Sequence, residues 1–217
     1  TIDIELLPKI DLIVISHNHY DHLDKNSVEI LGKDSSTVWY VPLGLKKWFD
    51  KLNIKNVIEL DWFQERKLDN VEIICLPSQH WSKRSLFKSF DTLWSSWSLK
   101  VGNFKFWFAG DTGYNKIQFK KIGDEYGPFD LSAIPIGAYE PRWFMKSFHV
   151  NPEEAIFIHE DIKSEKSIGM HFGTFVLTTE PILEPIEKVK NIIANDKNFK
   201  GEFMIPESGV IYSLKKK

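Results

Sequence analysis

Cysteine is almost absent from the chain, with one residue, Cys75, in 217. A single thiol excludes internal disulfides, a cysteine-rich zinc finger and an iron–sulfur cluster, and it permits a reducing compartment. Mid-strand, it reads as an inert core residue. No apolar run approaches the ~20 residues of a membrane-spanning helix, so membrane contact would have to be peripheral. Neither sign of charge dominates: 28 basic and 30 acidic side chains leave a net charge of −2. That balance lacks the basic surplus of nucleic-acid binders, and no nucleic-acid partner is expected. Repeats, low-complexity tracts and Gly/Ser/Pro-rich linkers are also missing. Apolar side chains, in contrast, are plentiful at 42%, and aromatic ones reach 14%, with 8 Trp and 16 Phe. A chain of this size and composition buries a real core, and a single domain over residues 1–217 is expected.

Strand-like apolar runs alternate with helix-periodic segments. Strands are predicted at 12–16, 37–41, 57–60, 71–76 and 167–171, with a hairpin of 94–101 and 104–109 turning at Gly102-Asn103. Helices are predicted at 26–31, 46–52 and 182–193. Asn151-Pro152-Glu153-Glu154 offers a cap residue, a first-turn proline and a capping-box glutamate, opening a helix that runs to about Ile162. Two short strands close the chain. The mixture is α/β, and the hairpins argue against a purely parallel sheet.

The chemistry concentrates just after the first strand, in His17-Asn18-His19-Tyr20-Asp21-His22. Residues two apart in an extended turn point the same way, so His17 and His19 can grip one ion. Asp21 and His22, further on, can reach a second. Imidazole with carboxylate suits zinc and leaves manganese or iron open. His80, Asp111 and His171 each follow another apolar strand, beside glycine or a turn. Alone, each reads as an ordinary turn or a satisfied histidine. Together they gather ligands from distant segments onto one sheet edge.

His17, His19, Asp21, His22, His80, Asp111 and His171, in that order and at strand ends, resemble the metallo-β-lactamase superfamily. The lack of a cysteine ligand argues against its cysteine-containing β-lactamase subclasses. The likeness extends to segments that no metal site requires. Segments 16–24, 41–45, 56–62, 77–81, 108–114, 127–145, 149–155 and 171–175 resemble the family of N-acylphosphatidylethanolamine-hydrolysing phospholipases D. The run Gly137-Ala138-Tyr139-Glu140-Pro141-Arg142-Trp143-Phe144-Met145 is the most specific of these. The family's further strands before the first histidine motif are absent, so the fold is expected to be N-terminally incomplete, and 205–209 matches less well.

The resemblance implies a metallo-β-lactamase-like four-layer αβ/βα sandwich with two Zn2+ per chain. One ion would take His17, His19 and His80; the other would take Asp21, His22 and His171; Asp111 would bridge them. It implies hydrolysis of N-acylphosphatidylethanolamine by a hydroxide shared between the ions, releasing N-acylethanolamine and phosphatidic acid. Asp21, Asp111 and His149 are the expected catalytic residues. Tyr20, Trp81, Arg84 and His149 are the expected substrate contacts, with His149 as proton donor or phosphate contact. Aromatic and basic residues are interleaved in Trp81, Lys83, Arg84, Leu86 and Phe87 and in Arg142, Trp143, Phe144, Met145, Lys146 and Phe148. That mixture suits a headgroup region. The partner is expected to be a membrane phospholipid at an intracellular membrane surface, with a homodimer open. A hydrolase of a soluble phosphodiester or lactone is the alternative, and a non-catalytic metal-binding scaffold is a third reading.

Overall fold

The computed structural model describes residues 3–85 and 89–214. The first of two sheets holds three parallel strands, β1 (Leu12–Val14), β2 (Val38–Pro42) and β3 (Val57–Leu60), in that order. Helices α1 (Lys25–Leu31) and α2 (Lys46–Lys51) make the crossovers. The second sheet holds β4 (Glu65–Leu68), β5 (Val71–Leu76), β6 (Ser96–Val101), β7 (Phe104–Phe108), β8 (Leu131–Pro135), β9 (Lys166–Met170) and β10 (Glu202–Met204). These strands lie side by side in the order β10-β9-β8-β7-β6-β5-β4. Strands β4 to β7 form an antiparallel meander, and β7 to β10 run parallel. The hairpin argument against a purely parallel sheet therefore holds for the second sheet only. The first is all parallel because helices, not tight turns, join its strands.

Alternation along the strands builds the layers. In β2, Trp39 and Val41 face α1 and α2, packing with Val28 and Phe49. Val38 and Tyr40 face the second sheet, meeting Ile73, Cys75 and Trp97. On the far side of that sheet Leu76, Trp107 and Ile134 pack against Phe119 of α3 (Lys116–Glu125), Ala155 and Ile158 of α5 (Pro152–Asp161) and Val189 of α6 (Glu184–Asn195). The order helix, sheet, sheet, helix is the expected four-layer αβ/βα sandwich.

The differences from the sequence reading have local causes. The helix expected at 182–193 begins at Glu184, because Pro185 occupies its first turn. The strand expected from residue 94 begins at Ser96, because the Ser95 amide is drawn out of the ladder to the Ser16 carbonyl at 2.8 Å. Among the described residues only β10 represents the two closing strands. Strand β4 carries Glu65, Arg66 and Lys67 on the sheet edge, where charge protects an unpaired ladder and also erases the apolar signal of a strand. Helix α3, strand β8 and the short helix α4 (Arg142–Met145) were likewise not anticipated.

The expected capping box at α5 is present: the Glu154 amide donates to Asn151 Oδ1 at 2.9 Å and the Asn151 amide to Glu154 Oε2 at 3.1 Å. Asn151→Ala should lower stability by about 1 kcal/mol, read as a fall in the thermal midpoint; an unchanged midpoint would mean that the cap contributes nothing.

Candidate metal centre

Four strands of the second sheet, β5, β7, β8 and β9, run the same way, so their C-terminal ends share one edge. Beyond these ends lie His80, Asp111, Gly137-Ala138 and His171. Strand β1 of the first sheet delivers His17 to the same place. Three bonds clamp the sheets here: Trp97 Nε1 donates to the Ile15 carbonyl at 2.9 Å, and the Ser95 amide and hydroxyl donate to that of Ser16 at 2.8 Å and 3.2 Å. Gly110, with φ of 61°, makes the close approach possible, since a Cβ there would lie 2.6 Å from Ser16 Cβ. His171 also holds a left-handed conformation, φ 59°, which for a histidine is mild strain of the kind that collects at functional sites.

All seven predicted ligands converge. His17 Nε2 stands 2.8 Å from His19 Nδ1, and His80 Nε2 stands 3.3 Å from the same atom. Asp21 Oδ2 lies 3.3 Å from His22 Nε2 and 3.4 Å from His171 Nε2. Asp111 lies between the sets: its Oδ2 is 3.1 Å from His22 Nε2, 3.8 Å from His80 Nε2 and 4.0 Å from His17 Nε2, and its Oδ1 is 3.5 Å from His171 Nε2. The donor atoms of His17, His19 and His80, and separately those of Asp21, His22, Asp111 and His171, lie within 4.8 Å of one another. The donors thus gather in two neighbouring sets, with Asp111 in the second and its Oδ2 within 4.0 Å of His17 and His80 of the first. His149 joins His80 and Asp111 in a third such set, its Nδ1 4.0 Å from Asp111 Oδ2.

The donor set suits a cation. His80 Nδ1 lies 2.9 Å from the Phe148 carbonyl, which can only accept, so the proton sits on Nδ1 and the Nε2 lone pair faces the cluster. Ser16 Oγ is 3.0 Å from His17 Nδ1 and holds the orientation of that ring. Asp111 Oδ1 is buried without a hydrogen-bond partner. Packing nitrogen lone pairs and an unpartnered carboxylate oxygen together is costly unless a positive ion lies among them. The residues present therefore fit one or more divalent metal ions.

Charge divides the cluster. Burial pushes His17 well below its usual range, His80 down to about 3 and His149 to about 4; it lowers His19 as well. These imidazoles stay neutral and able to donate lone pairs. Burial alone would raise Asp111, but His171 and His22 hold it well below the usual carboxylate range. Burial would lower His22, yet Asp111 and Asp21 lift it to about 10; they raise His171 too. Asp21, despite burial, is lowered by hydrogen bonds from His171 and His22. Without metal this half is an ion-pair network, and metal uptake there releases protons.

An apolar cavity of about 510 Å³ opens onto the donors, with His19, Asp21 and Asp111 at its floor. Tyr20, Trp81, Arg84 and His149, the four expected substrate contacts, all line it. Phe144, Met145 and Phe148 of the expected headgroup segment line it too, and Trp143 projects 86% exposed beside Phe144. Leu86 and Phe87 lie outside the described residues. Sequence reading missed Ala138, Leu177 and Thr178 in the wall; of these, the apolar run Phe175-Val176-Leu177 after His171 was a usable signal. Phe175, Val176 and Leu177 are exposed, and Leu177 lines the cavity together with Phe144. Arg142 positions His149, donating from Nη1 to its carbonyl at 2.8 Å and from Nη2 to Glu154 at 2.7 Å.

A four-layer sandwich with histidine and aspartate donors at the strand ends is the architecture of a metal-dependent hydrolase fold. Residues 2–172 match the beta-lactamase superfamily domain, and the chain belongs to that superfamily. It is 44% identical over 221 residues to N-acyl-phosphatidylethanolamine-hydrolyzing phospholipase D 1 of Caenorhabditis elegans, covering 96% of this chain and 62% of that protein. It is 40% identical over 209 residues to the mitochondrial N-acyl-phosphatidylethanolamine-hydrolyzing phospholipase D of Saccharomyces cerevisiae, covering 94% of this chain and 44% of that one. The chain thus spans about half the length of these relatives. Among solved structures, Igni18, a metallo hydrolase from Ignicoccus hospitalis, superposes with a TM-score of 0.73 at 21% identity over 96% of this chain and 81% of its own, a likeness of fold. Among the described residues no helix is long and apolar enough to cross a membrane.

Proposed function

We propose that the chain is a phospholipase D acting on N-acylphosphatidylethanolamine, with two zinc ions held by His17, His19 and His80 and by Asp21, His22 and His171, bridged by Asp111. The observation that carries this reading is the juxtaposition of two donor sets with an apolar cavity of about 510 Å³. An apolar wall of this kind suits the acyl chains of a lipid. The similarity to two relatives named for this reaction supports the same substrate.

Bound at these donors, two zinc ions would supply Lewis acidity, bringing the pKa of water towards ~7 and offsetting the phosphodiester charge. The chain's own residues account for the rest. Phe148, through its carbonyl, fixes the tautomer of His80. Trp81, Phe144, Phe148 and Leu177 give acyl chains an apolar lining and keep bulk water from the reacting phosphate. His149, with Nδ1 buried and unpartnered, stands where it can hydrogen-bond a phosphoryl oxygen. In the overall reaction water oxygen bonds to phosphorus and the bond from phosphorus to the ethanolamine oxygen breaks. The departing oxygen takes a proton, leaving N-acylethanolamine and phosphatidic acid. The exposed Trp143, Phe144, Phe175, Val176 and Leu177, of which Phe144 and Leu177 line the cavity, support peripheral contact with an intracellular membrane. Nothing in this reading calls for nucleic acid; a homodimer is compatible with it.

The test uses zinc-loaded protein on vesicles containing N-acylphosphatidylethanolamine, with mass spectrometry of the products. Wild type should release N-acylethanolamine and phosphatidic acid together, and His19→Ala should release neither. Hydrolysis of soluble phosphodiesters or lactones with vesicles untouched would sink the lipid assignment in favour of the soluble alternative.

A further inference from the structure

A second cavity of about 900 Å³ lies on the other side of the wall formed by Tyr20 and Arg84. None of the metal-donor residues lines it. We propose that this cavity is a binding site for a phosphomonoester group, carried by a soluble metabolite or by a lipid headgroup.

Its charge is positive in a chain of net −2: Lys25, Lys47, Lys51 and Arg84 face it against Asp24 and Asp91. Asp24 is committed as the cap of α1, accepting from the Ser27 amide at 2.7 Å and its hydroxyl at 2.8 Å. Asp91 is also engaged. Lys25 reaches Glu29 at 3.5 Å. Lys47 and Lys51, one turn apart on α2, have no acidic partner among the described residues. Like charges at that spacing repel, and an anion between them relieves it.

Arg84 is preorganised. Its guanidinium lies between the rings of Tyr20, 4.4 Å away, and Trp48, 4.8 Å away. Nη1 donates to the Asn18 carbonyl at 3.0 Å, and the Tyr20 hydroxyl donates to the Arg84 carbonyl at 3.2 Å. A planar fork fixed in this way, with N–H groups to spare, matches the oxygens of a phosphate. Two polar atoms in residues lining the same cavity lack partners: the buried Thr92 Oγ1, which can donate to phosphate, and Oδ1 of Asn18, a residue 5% exposed. Asn18 Oδ1 needs a donor, as a ligand hydroxyl or a protonated phosphate oxygen would supply. A phosphomonoester carries nearly two charges and three acceptor oxygens, which matches two free lysines and an arginine better than a diester or a carboxylate does.

The test compares the zinc-loaded full chain with the double variant K47Q/K51Q, both positions being exposed and outside the reaction cavity. Calorimetric titration with glycerol 3-phosphate probes a soluble source. Cosedimentation with phosphatidylcholine vesicles, with and without phosphatidic acid, probes a lipid source. The double variant should lose about tenfold or more in affinity for one of these probes, and K47R/K51R should retain it. The probe affected names the source. The site is overturned if the double variant binds both probes as wild type does, or if it loses vesicles lacking phosphatidic acid equally. Any phosphate held at the metal donors is common to all the proteins and cancels. Hydrolysis of N-acylphosphatidylethanolamine by the same preparations reports on the proposed reaction separately.

Discussion

Asp111→Asn is expected to remove hydrolysis to background while leaving the fold in place. Asp111 is the one carboxylate facing donors of both sets, His17 and His80 on one side and His22 and His171 on the other. Asparagine keeps the shape and removes the charge. On the proposed two-ion reading the shared anionic ligand would be lost, and the loss should exceed the ~100-fold that a missing outer partner of a metal ligand costs. Metal content should fall with it. The metal-free variant should melt below wild type, since removing Asp111 leaves His22 and His171 short of a counter-charge in a buried ion-pair network. The informative quantity is the rise in melting temperature on adding zinc: large for wild type by mass action, and small for the variant. A variant that keeps its metal and its turnover would show that Asp111 does not bridge.

The largest effect on stability is expected from Trp97→Ala. Trp97 is fully buried between the sheets, against Val38, Tyr40 and Cys75. Its removal leaves a cavity costing about 3–5 kcal/mol. It also strands the Ile15 carbonyl, which accepts from Trp97 Nε1 at 2.9 Å, at a further cost of about 1–3 kcal/mol. For a chain of this length the thermal midpoint should drop by roughly 10 °C or more. Because Ile15 lies two residues before His17, metal affinity should fall as well. Trp97→Phe separates the terms: it fills most of the volume and loses only the bond. If alanine shifted the midpoint no further than phenylalanine, packing would not be what joins the sheets at this point.

The candidate centre was legible because its candidate donors are polar residues placed directly after apolar runs. His17, His80, Asp111 and His171 each follow a strand, and a strand end is where a sheet presents side chains to one edge. The cavity wall was half legible. Trp81, Phe144 and Met145 stood out as aromatic or apolar residues among lysines and arginines, whereas Ala138 carries no signal of its own. It reaches the wall because the chain turns there with φ of 63°, a backbone property. The second cavity gave no local sign either. Asn18, Lys47 and Arg84 are far apart along the chain and meet only when α2 packs beside the histidine loop.

The sequence by itself determined the candidate donor set, the α/β class, the family and the start of α5, because these rest on residue type and short-range spacing. Only the tertiary structure decided how closely the donors of the two sets approach one another, and that Phe148 orients His80 through a carbonyl. It alone decided that Arg84 stands between two cavities and that the first sheet is wholly parallel. The reason is physical: these facts are distances between segments brought together by packing two sheets through Val38, Tyr40, Ile73 and Trp97. Such burial rewards apolar area without regard to sequence separation.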